Sequence, residues 1–385
     1  MRVAHVITRL IVGGAQENTV STVLGLHQKN NVTVRLYSGP TSGPEGSLES
    51  SVQQVEGLFH VIPLLIRPVH PVRDYLAYRH LIREFRTFQP DIVHTHSGKA
   101  GLIGRLAARR AGVPVVIHSI HGPSFGPFQG WLSNALFSQA ERIAGTRTDH
   151  FITVANAMRD QYLNAGIGNE KDYTQIFSGF DLEPFLASEN STHQREKLGL
   201  QKDDFVVGKI ARLFELKGHE NLFAIAPSLA KQIPNIRFLL VGNGVWREKY
   251  ERLAKRIGCE KNFIFTGLVP PSEIPSLVGV MDTLVHLSQR EGLPRALPQA
   301  MASAKPVVAF DCDGASEVCL NDRTGILIPP GDLAKLEESL IRLAKDDAER
   351  KTLGQAGQAF VQDKFTVERL VEAQYVLYQK LLAKR

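Results

Sequence analysis

Two short segments hold the residue types best suited to chemistry on a charged leaving group. In Ile210-Ala211-Arg212-Leu213-Phe214-Glu215-Leu216-Lys217-Gly218, two cations follow a strand-like run and lead into a helical pattern. A guanidinium can fork onto pyrophosphate oxygens while an ammonium acts as a point charge. A solvated loop would use the same residues. In Ser288-Gln289-Arg290-Glu291-Gly292-Leu293-Pro294-Arg295-Ala296-Leu297-Pro298-Gln299-Ala300-Met301-Ala302, an apolar-periodic helix is expected to start near Pro294, after a strand ending at His286. That puts Glu291 and the Gly292 and Leu293 amides at a helix N-terminus. There a carboxylate can accept hydrogen bonds from sugar hydroxyls and amides can hold a phosphate. Simple capping of the helix by Glu291 is the plainer alternative.

Weaker signals lie elsewhere. Gly13-Gly14-Ala15 follows the first strand-like run and opens a helix, so its bare backbone can approach a phosphate or simply turn tightly. It is not G-x-G-x-x-G, and no acidic residue closes the next strand, which disfavours a nicotinamide dehydrogenase. Val241-Gly242-Asn243-Gly244 is a second strand-to-glycine turn, where a base or ribose can lie against backbone. His94, His96 and His121 fall at the ends of two first-half strands. The His94-x-His96 spacing hints at a metal, but the two side chains are read as facing opposite sides of the strand, with no third ligand obvious. Asp311-x-Asp313 resembles a metal–nucleotide carboxylate pair, although a turn-forming Asx pair explains it more simply.

The elements that must position these residues alternate between strand and helix, the mark of βαβ units around parallel sheets. Strands are expected over 3–8, 32–37, 92–95, 115–119 and 150–154, with helices over 15–28, 72–87, 99–111 and 130–145. The pattern restarts with strands over 205–211, 237–241, 262–266, 283–286 and 306–310, separated by helices such as 218–232 and 246–258. Two such series imply two doubly wound domains, each binding ligands at the C-terminal ends of its strands. The expected division is an N-terminal domain over 1–180, a C-terminal domain over 181–365 and a terminal helix over 366–385 that packs back on the first domain, with 178–190 as linker.

Composition narrows the function classes. The 385 residues are 43% hydrophobic and 22% charged, ordinary for a soluble globular protein. No apolar run approaches the roughly 18 residues of a membrane-spanning helix. The N-terminal run is too broken by charge for a signal sequence and reads as a buried strand. Three cysteines without a C-x-x-C pair argue against a disulfide framework or zinc site and favour a reducing compartment, so the cytoplasm is expected. Residues 1–180 hold 17 Lys+Arg against 12 Asp+Glu, and ten of the 13 histidines. That half is the one expected to face something anionic, a lipid phosphate or acidic membrane surface, unless the charge is simply a solvated face. Nucleic acid is not expected, since no basic run or ribonucleoprotein pattern accompanies the charge.

Read in order, these segments resemble glycosyltransferase family 4, the large retaining family with the two-domain GT-B fold. The resemblance rests on the Gly-Gly turn, on HTHSGKAGLIGRLAARRAGVP from His94, HSIHG from His118, ARLFELKG from Ala211 and VGNG from Val241. EGLPRALPQAMASAKPVVA from Glu291 and TGILIPPGD from Thr324 complete it. The stretch from His94 to Gly122 further resembles bacterial members that extend surface polysaccharides or lipid-linked glycans. The resemblance implies two Rossmann-like domains facing across a crevice, with the donor on the C-terminal one and the acceptor on the N-terminal one. Arg212 and Lys217 would hold the nucleotide diphosphate, assisted by the Gly13 and Gly14 amides. Gly242 and Asn243 would also line the donor site. Glu291 would contact donor-sugar hydroxyls, beside the amides of Gly292 and Leu293. His121 would lie beside the reacting centre, with His96, Phe125 and Phe128 on the acceptor side.

The implied reaction moves a hexose-type sugar from a UDP- or GDP-linked donor to a glycan or polyprenyl-linked hydroxyl, with retention and without a metal or other cofactor. Peripheral docking at the inner face of the plasma membrane is expected from Tyr75 to Phe88 and from Phe125, Phe128 and Trp131, although a crossover helix packed on its own sheet explains the first stretch equally well. Two positions depart from the family pattern. Gln299 stands where a second Glu would bind ribose, and Ser178-Gly179-Phe180-Asp181 replaces an Asn-Gly-Val-Asp type run. Gln299 also leaves room for a non-catalytic sugar-nucleotide-binding protein or partner subunit on the same fold.

Overall fold

A computed structural model describes residues 1–43, 46–126 and 128–385. The chain divides into two compact units, Met1–Phe180 with Thr366–Arg385, and Asp181–Phe365.

The first unit runs β1 (Arg2–Ile7), α1 (Gly14–His27), β2 (Thr33–Ser38), α2 (Glu49–Gln53), β3 (Phe59–Val61), α3 (Pro71–Phe88), β4 (Ile92–His96), α4 (Gly98–Ala111), β5 (Val115–Ile120), α5 (Trp131–Gly145), β6 (His150–Thr153), α6 (Asn156–Asn164) and β7 (Tyr173–Gln175). All its strands are parallel, in the order β3-β2-β1-β4-β5-β6-β7. A parallel sheet is covered on both faces, so its strands read as near-continuous apolar runs. Alternation sorts them: Val3 and Ile7 join one core, while Ala4 and Val6 join the other. The first core also takes Val20, Val23 and Leu26 of α1, and the second takes Leu81, Ile82 and Phe85 of α3.

The second unit runs α7 (Glu183–Leu186), α8 (Thr192–Lys197), β8 (Phe205–Ile210), α9 (His219–Gln232), β9 (Ile236–Val241), α10 (Arg247–Arg256), β10 (Phe263–Gly267), α11 (Ile274–Gly279), β11 (Thr283–His286), α12 (Ala296–Ala302), β12 (Val307–Phe310), β13 (Gly325–Ile328), α13 (Leu333–Lys345) and α14 (Asp347–Lys364). Its strand order is β10-β9-β8-β11-β12-β13. In both sheets the order reverses once, between β1 and β4 and between β8 and β11. Loops leaving neighbouring strands diverge there and open a binding edge. The Gly13-Gly14 turn leaves β1, the Arg212–Lys217 loop leaves β8 and the Glu291 loop leaves β11, so the segments singled out in the sequence flank the switch points.

Three strands were not expected: β3, β7 and β13. Each lies at a sheet edge, and β3 and β7 have only three residues, too short to show an apolar run. The helix expected near Pro294 begins at Ala296, which leaves Gly292 and Leu293 in the preceding turn rather than in a helical N-terminus. The 178–190 segment contains the short helix α7.

The last helix, α15 (Val367–Leu382), belongs to the first unit. The Thr366 hydroxyl caps it by accepting the Arg369 N–H at 3.1 Å. Leu370, Val371, Leu377 and Tyr378 enter the core shared with α1. Gly25 of α1 marks the closest approach, because a Cβ there would overlap the Val371 methyls. Alanine at 25 would gain up to about 1 kcal/mol of helix propensity, but Val371 is stiff and overpacking costs about 1–3 kcal/mol. Gly25→Ala is therefore expected to destabilise the first unit in denaturant unfolding. Adding Val371→Ala should recover part of the loss; two independent, additive losses would contradict this packing account.

Candidate active site

In the second unit, the β8 and β11 loops are fastened to each other before any charge is considered. The Gln289 N–H donates to the Leu216 carbonyl at 2.8 Å. Gly218 sits at φ +67°, and a Cβ there would overlap the Leu287 carbonyl oxygen, so this position requires glycine on two counts. The clamp brings Lys217 Nζ onto Glu291 Oε1 as an ion pair. Ser288 Oγ donates to the same oxygen at 3.2 Å, and His286 Nε2 lies 4.0 Å away. Burial alone would raise the Glu291 carboxyl, but the Lys217 ammonium, His286 and the Lys217 and Ser288 hydrogen bonds outweigh it and hold it below the ordinary range. Glu291 is thus an ionised acceptor and does not cap α12, which starts five residues later.

The Glu291 N–H donates to Asp313 Oδ2 at 2.7 Å, and the Gly314 N–H donates to the Gly292 carbonyl at 3.1 Å. Asp313, at φ +49°, therefore fixes the Glu291 loop from the β12 side. This is a contact across 22 residues, not the local Asx turn expected for the 311–313 pair. Arg212 is exposed, 5.9 Å from the Phe214 ring, and forms no ion pair among the described residues. Gly242 and Asn243 support the Arg212 loop: the Leu213 N–H donates to the Asn243 carbonyl at 3.0 Å. A Cβ on Gly242 would overlap the Ala211 carbonyl, and the Gly242 N–H is occupied by Gly267 at 3.2 Å. The Gln299 side chain is half-buried and makes no hydrogen bond among the described residues.

Sequence reading missed Lys209. It lies within the β8 run, fully buried, with no hydrogen-bond partner for Nζ among the described residues. Burial and the nearby Lys217 push its ammonium down to about 7, against the opposing pull of Glu291 and Glu220. The only signal was a lysine inside Phe205-Val206-Val207-Gly208-Lys209-Ile210.

In the first unit, Gly13 is extended and Gly14 opens α1, with the Glu17 N–H donating to the Gly13 carbonyl at 2.9 Å. His121 follows β5 directly. The opposite-face reading of His94 and His96 is corrected: residues two apart in a strand share a face, and their ring centroids are 4.3 Å apart. His5, from β1, joins them, and the three offer nitrogens within 4.8 Å of one another. The site nonetheless fits a metal poorly. His94 uses Nδ1 on the Tyr378 hydroxyl at 2.5 Å and Nε2 on Ser119 Oγ at 2.7 Å. His5 Nδ1 and His96 Nε2 are hydrogen-bonded to each other at 2.9 Å. A tetrahedral cation at about 2.0–2.1 Å from each nitrogen would hold them about 3.3 Å apart and would replace these hydrogen bonds.

His96 is fully buried and His96 Nδ1 contacts His121 Nε2 at 3.1 Å, so it backs His121 and does not line an acceptor surface. Phe125 is likewise buried, 5.0 Å from the Tyr162 ring, and is not available to shelter a lipid. Phe128 is half-buried and Trp131 is exposed. Within 75–88, Leu81, Ile82, Phe85 and Phe88 are core residues, so of the two readings the crossover helix packed on its own sheet holds for them and the membrane face does not.

Residues 12–183 match the model of Glycosyltransferase Family 4 and residues 190–360 that of glycosyl transferases group 1. A Bacillus subtilis relative, named as the glycosyltransferase EpsD, is 30% identical over 82% of this chain and 83% of its own. The Escherichia coli UDP-Gal:alpha-D-GlcNAc-diphosphoundecaprenol alpha-1,3-galactosyltransferase is 26% identical over 90% of this chain and 88% of its own. Among solved structures, Anabaena HepE in complex with UDP has a TM-score of 0.81 at 21% identity, covering 99% of this chain and 100% of its own. With its two parallel Rossmann-like sheets and a clamped Lys217–Glu291 pair at a switch point, this chain belongs to glycosyltransferase family 4.

Proposed function

We propose that the chain transfers a hexose-type sugar from a UDP- or GDP-linked donor to a hydroxyl of a growing glycan or polyprenyl-linked acceptor in surface-polysaccharide synthesis, with retention and without a metal. The observation that carries this reading is the Lys217–Glu291 pair, held at the second unit's switch point beside an exposed Arg212. A departing nucleoside diphosphate gathers negative charge as the C1–O bond breaks, and preorganised cations stabilise that charge with little reorganisation. Arg212 suits the forked contact and Lys217 the point contact. Glu291, already ionised, accepts hydrogen bonds from the sugar hydroxyls. The acceptor hydroxyl attacks C1 from the face the phosphate leaves, and its proton passes to the departing phosphate oxygen. One C–O bond forms, one breaks, and the configuration is kept.

The diphosphoundecaprenol-linked substrate named for the Escherichia coli relative supports a lipid-linked acceptor. A membrane-borne acceptor calls for a docking face, and the first unit offers one. Crossover helices start at the C-terminal edge of a parallel sheet, so α3 and α5 both begin on the side where His121 leaves β5. Their first two turns expose Val72, Tyr75 and Leu76, and Trp131 (82%), Leu132 (66%) and Leu136 (67%). Arg73 and Arg79 lie among the former. An apolar ridge with arginines beside it suits an anionic bilayer surface. Among the described residues, no helix is long and apolar enough to cross a membrane.

Arg212→Ala and Lys217→Ala should each lower turnover at saturating donor by about tenfold or more, while EDTA leaves the wild-type rate intact. Wild-type turnover in both variants would remove the leaving-group role, and loss of activity on chelation, restored by magnesium or manganese, would remove the metal-free reading. In sedimentation with anionic vesicles, the wild-type chain should pellet at low salt and be released at high salt, and Leu132→Glu/Leu136→Glu should stay in solution. No pelleting at low salt would contradict the docking face.

A further inference from the structure

The second unit keeps a lysine inside its core. Lys209 pairs with Leu240 of β9, and strand alternation puts it with Phe205 and Val207 on the face packed under α9. It is fully buried, and its Nζ has no hydrogen-bond partner among the described residues. Charged and titratable groups reach its neighbourhood from every side of the clamp. Lys217 comes from the loop after β8, Glu291 from the loop after β11, His286 from the end of β11, and His219 and Glu220 from the first turn of α9. Behind them, Glu220 accepts from the Tyr250 hydroxyl of α10 at 2.9 Å and lies 3.5 Å from Lys249 Nζ.

Three conditions act against a proton on Lys209. A buried ammonium without hydrogen bonds has lost its hydration. A second cation, Lys217, stands close by. The start of α9 adds the positive end of a helix dipole. Glu291 and Glu220 pull the other way, and the balance leaves the ammonium pushed down to about 7. The two histidines do not share the proton. Burial and the charges of Lys209 and Lys217 hold His219 at about 2, and burial holds His286 at about 3 although Glu291 opposes it. Tyr250 is pushed up by burial and by Glu220, so it keeps its own proton.

The Lys217 charge is the one condition of the three that a bound anion would cancel. We infer that Lys209 is a positioning residue, the reserve counter-ion of Glu291: when a nucleoside diphosphate draws Lys217 from the carboxylate, the Lys209 amine takes one proton from solvent and holds Glu291 ionised through space. This rests on the proposed binding of the diphosphate by Lys217. The proton joins the Nζ lone pair and returns to solvent when the diphosphate leaves. Lys209 needs no contact with the ligand, because charges act more strongly through a protein interior than through water. Binding the anion raises the Lys209 pKa. Its contribution to affinity is therefore full below about 7 and is lost as pH rises past that value.

Calorimetric titration of UDP and GDP into the full-length chain, in two buffers of different ionisation enthalpy, counts the protons taken up on binding. Near pH 7.5, wild type should take up about half a proton or more per nucleotide beyond the count for Lys209→Met, which corresponds to a rise of about one pKa unit or more. The Met side chain keeps the volume of the lysine stem without its amine, and the subtraction removes the nucleotide's own phosphate ionisation. Near pH 6, Lys209→Met should bind about tenfold more weakly than wild type, with the gap narrowing as pH rises past 7. In Glu291→Gln the carboxylate that the proton serves is gone, and uptake should fall below half of the wild-type count. A purely structural Lys209 would leave the proton count unchanged. Thermal melts check that the variants fold; if Lys209→Met does not, the comparison of wild type with Glu291→Gln decides. A wild-type count equal to that of Lys209→Met, or equal to that of Glu291→Gln, overturns the inference. Binding without uptake contradicts the reserve counter-ion alone, whereas no binding of either nucleotide contradicts the diphosphate site and the counter-ion together.

Discussion

A carboxylate taken partly out of water must keep a cation and hydrogen-bond donors beside it, or it protonates. The second unit meets this demand with backbone before side chains. The Gln289–Leu216 hydrogen bond and the close pass of Gly218 over Leu287 bring the β8 and β11 loops together. Asp313 then ties the Glu291 amide from the β12 side. Only within that frame do Lys217 and Glu291 meet, so the charge arrangement is a consequence of three loops leaving adjacent strands at the reversal of strand order. The same frame explains the neighbouring glycines: Gly242 and Gly244 give the Arg212 loop room against the β9 turn.

The first unit answers a different demand, that of polar rings inside an apolar sandwich. His5, His94 and His96 occupy positions that alternation assigns to the core under α1 and α15. Each is neutralised by burial and hydrogen-bonded to another ring, or to Ser119 and Tyr378, although His5 Nε2 keeps no partner among the described residues. Because Tyr378 and Gln374 come from α15, the terminal helix completes this polar layer as well as the apolar core around it. Its contribution to the first unit is therefore both packing and hydrogen bonding.

The long buried strands and amphipathic helices were legible from the sequence because their apolar periodicity is continuous; β11 over 283–286 falls where the pattern put it. The edge strands β3, β7 and β13 were not, since their brevity erases the periodicity. The Arg212–Lys217 and Glu291 segments were legible as chemistry, but the clamp between them depends on a positive φ at Gly218 and a contact across about 70 residues, which no local pattern carries. The histidines were visible and misjudged: their shared face follows from a two-residue repeat, whereas the arrival of His5 from β1 needs the strand order. Lys209 shows the converse, a charged residue hidden in a run that reads simply as core.

The central claim is that Lys217 is shared between Glu291 and the diphosphate. Calorimetric titration of UDP and GDP into the full-length chain and into Glu291→Gln tests it most directly. Removing the carboxylate frees the ammonium, so the variant should bind its nucleoside diphosphate at least as tightly as wild type while losing sugar transfer. Weaker diphosphate binding in Glu291→Gln, with transfer retained, would contradict the account.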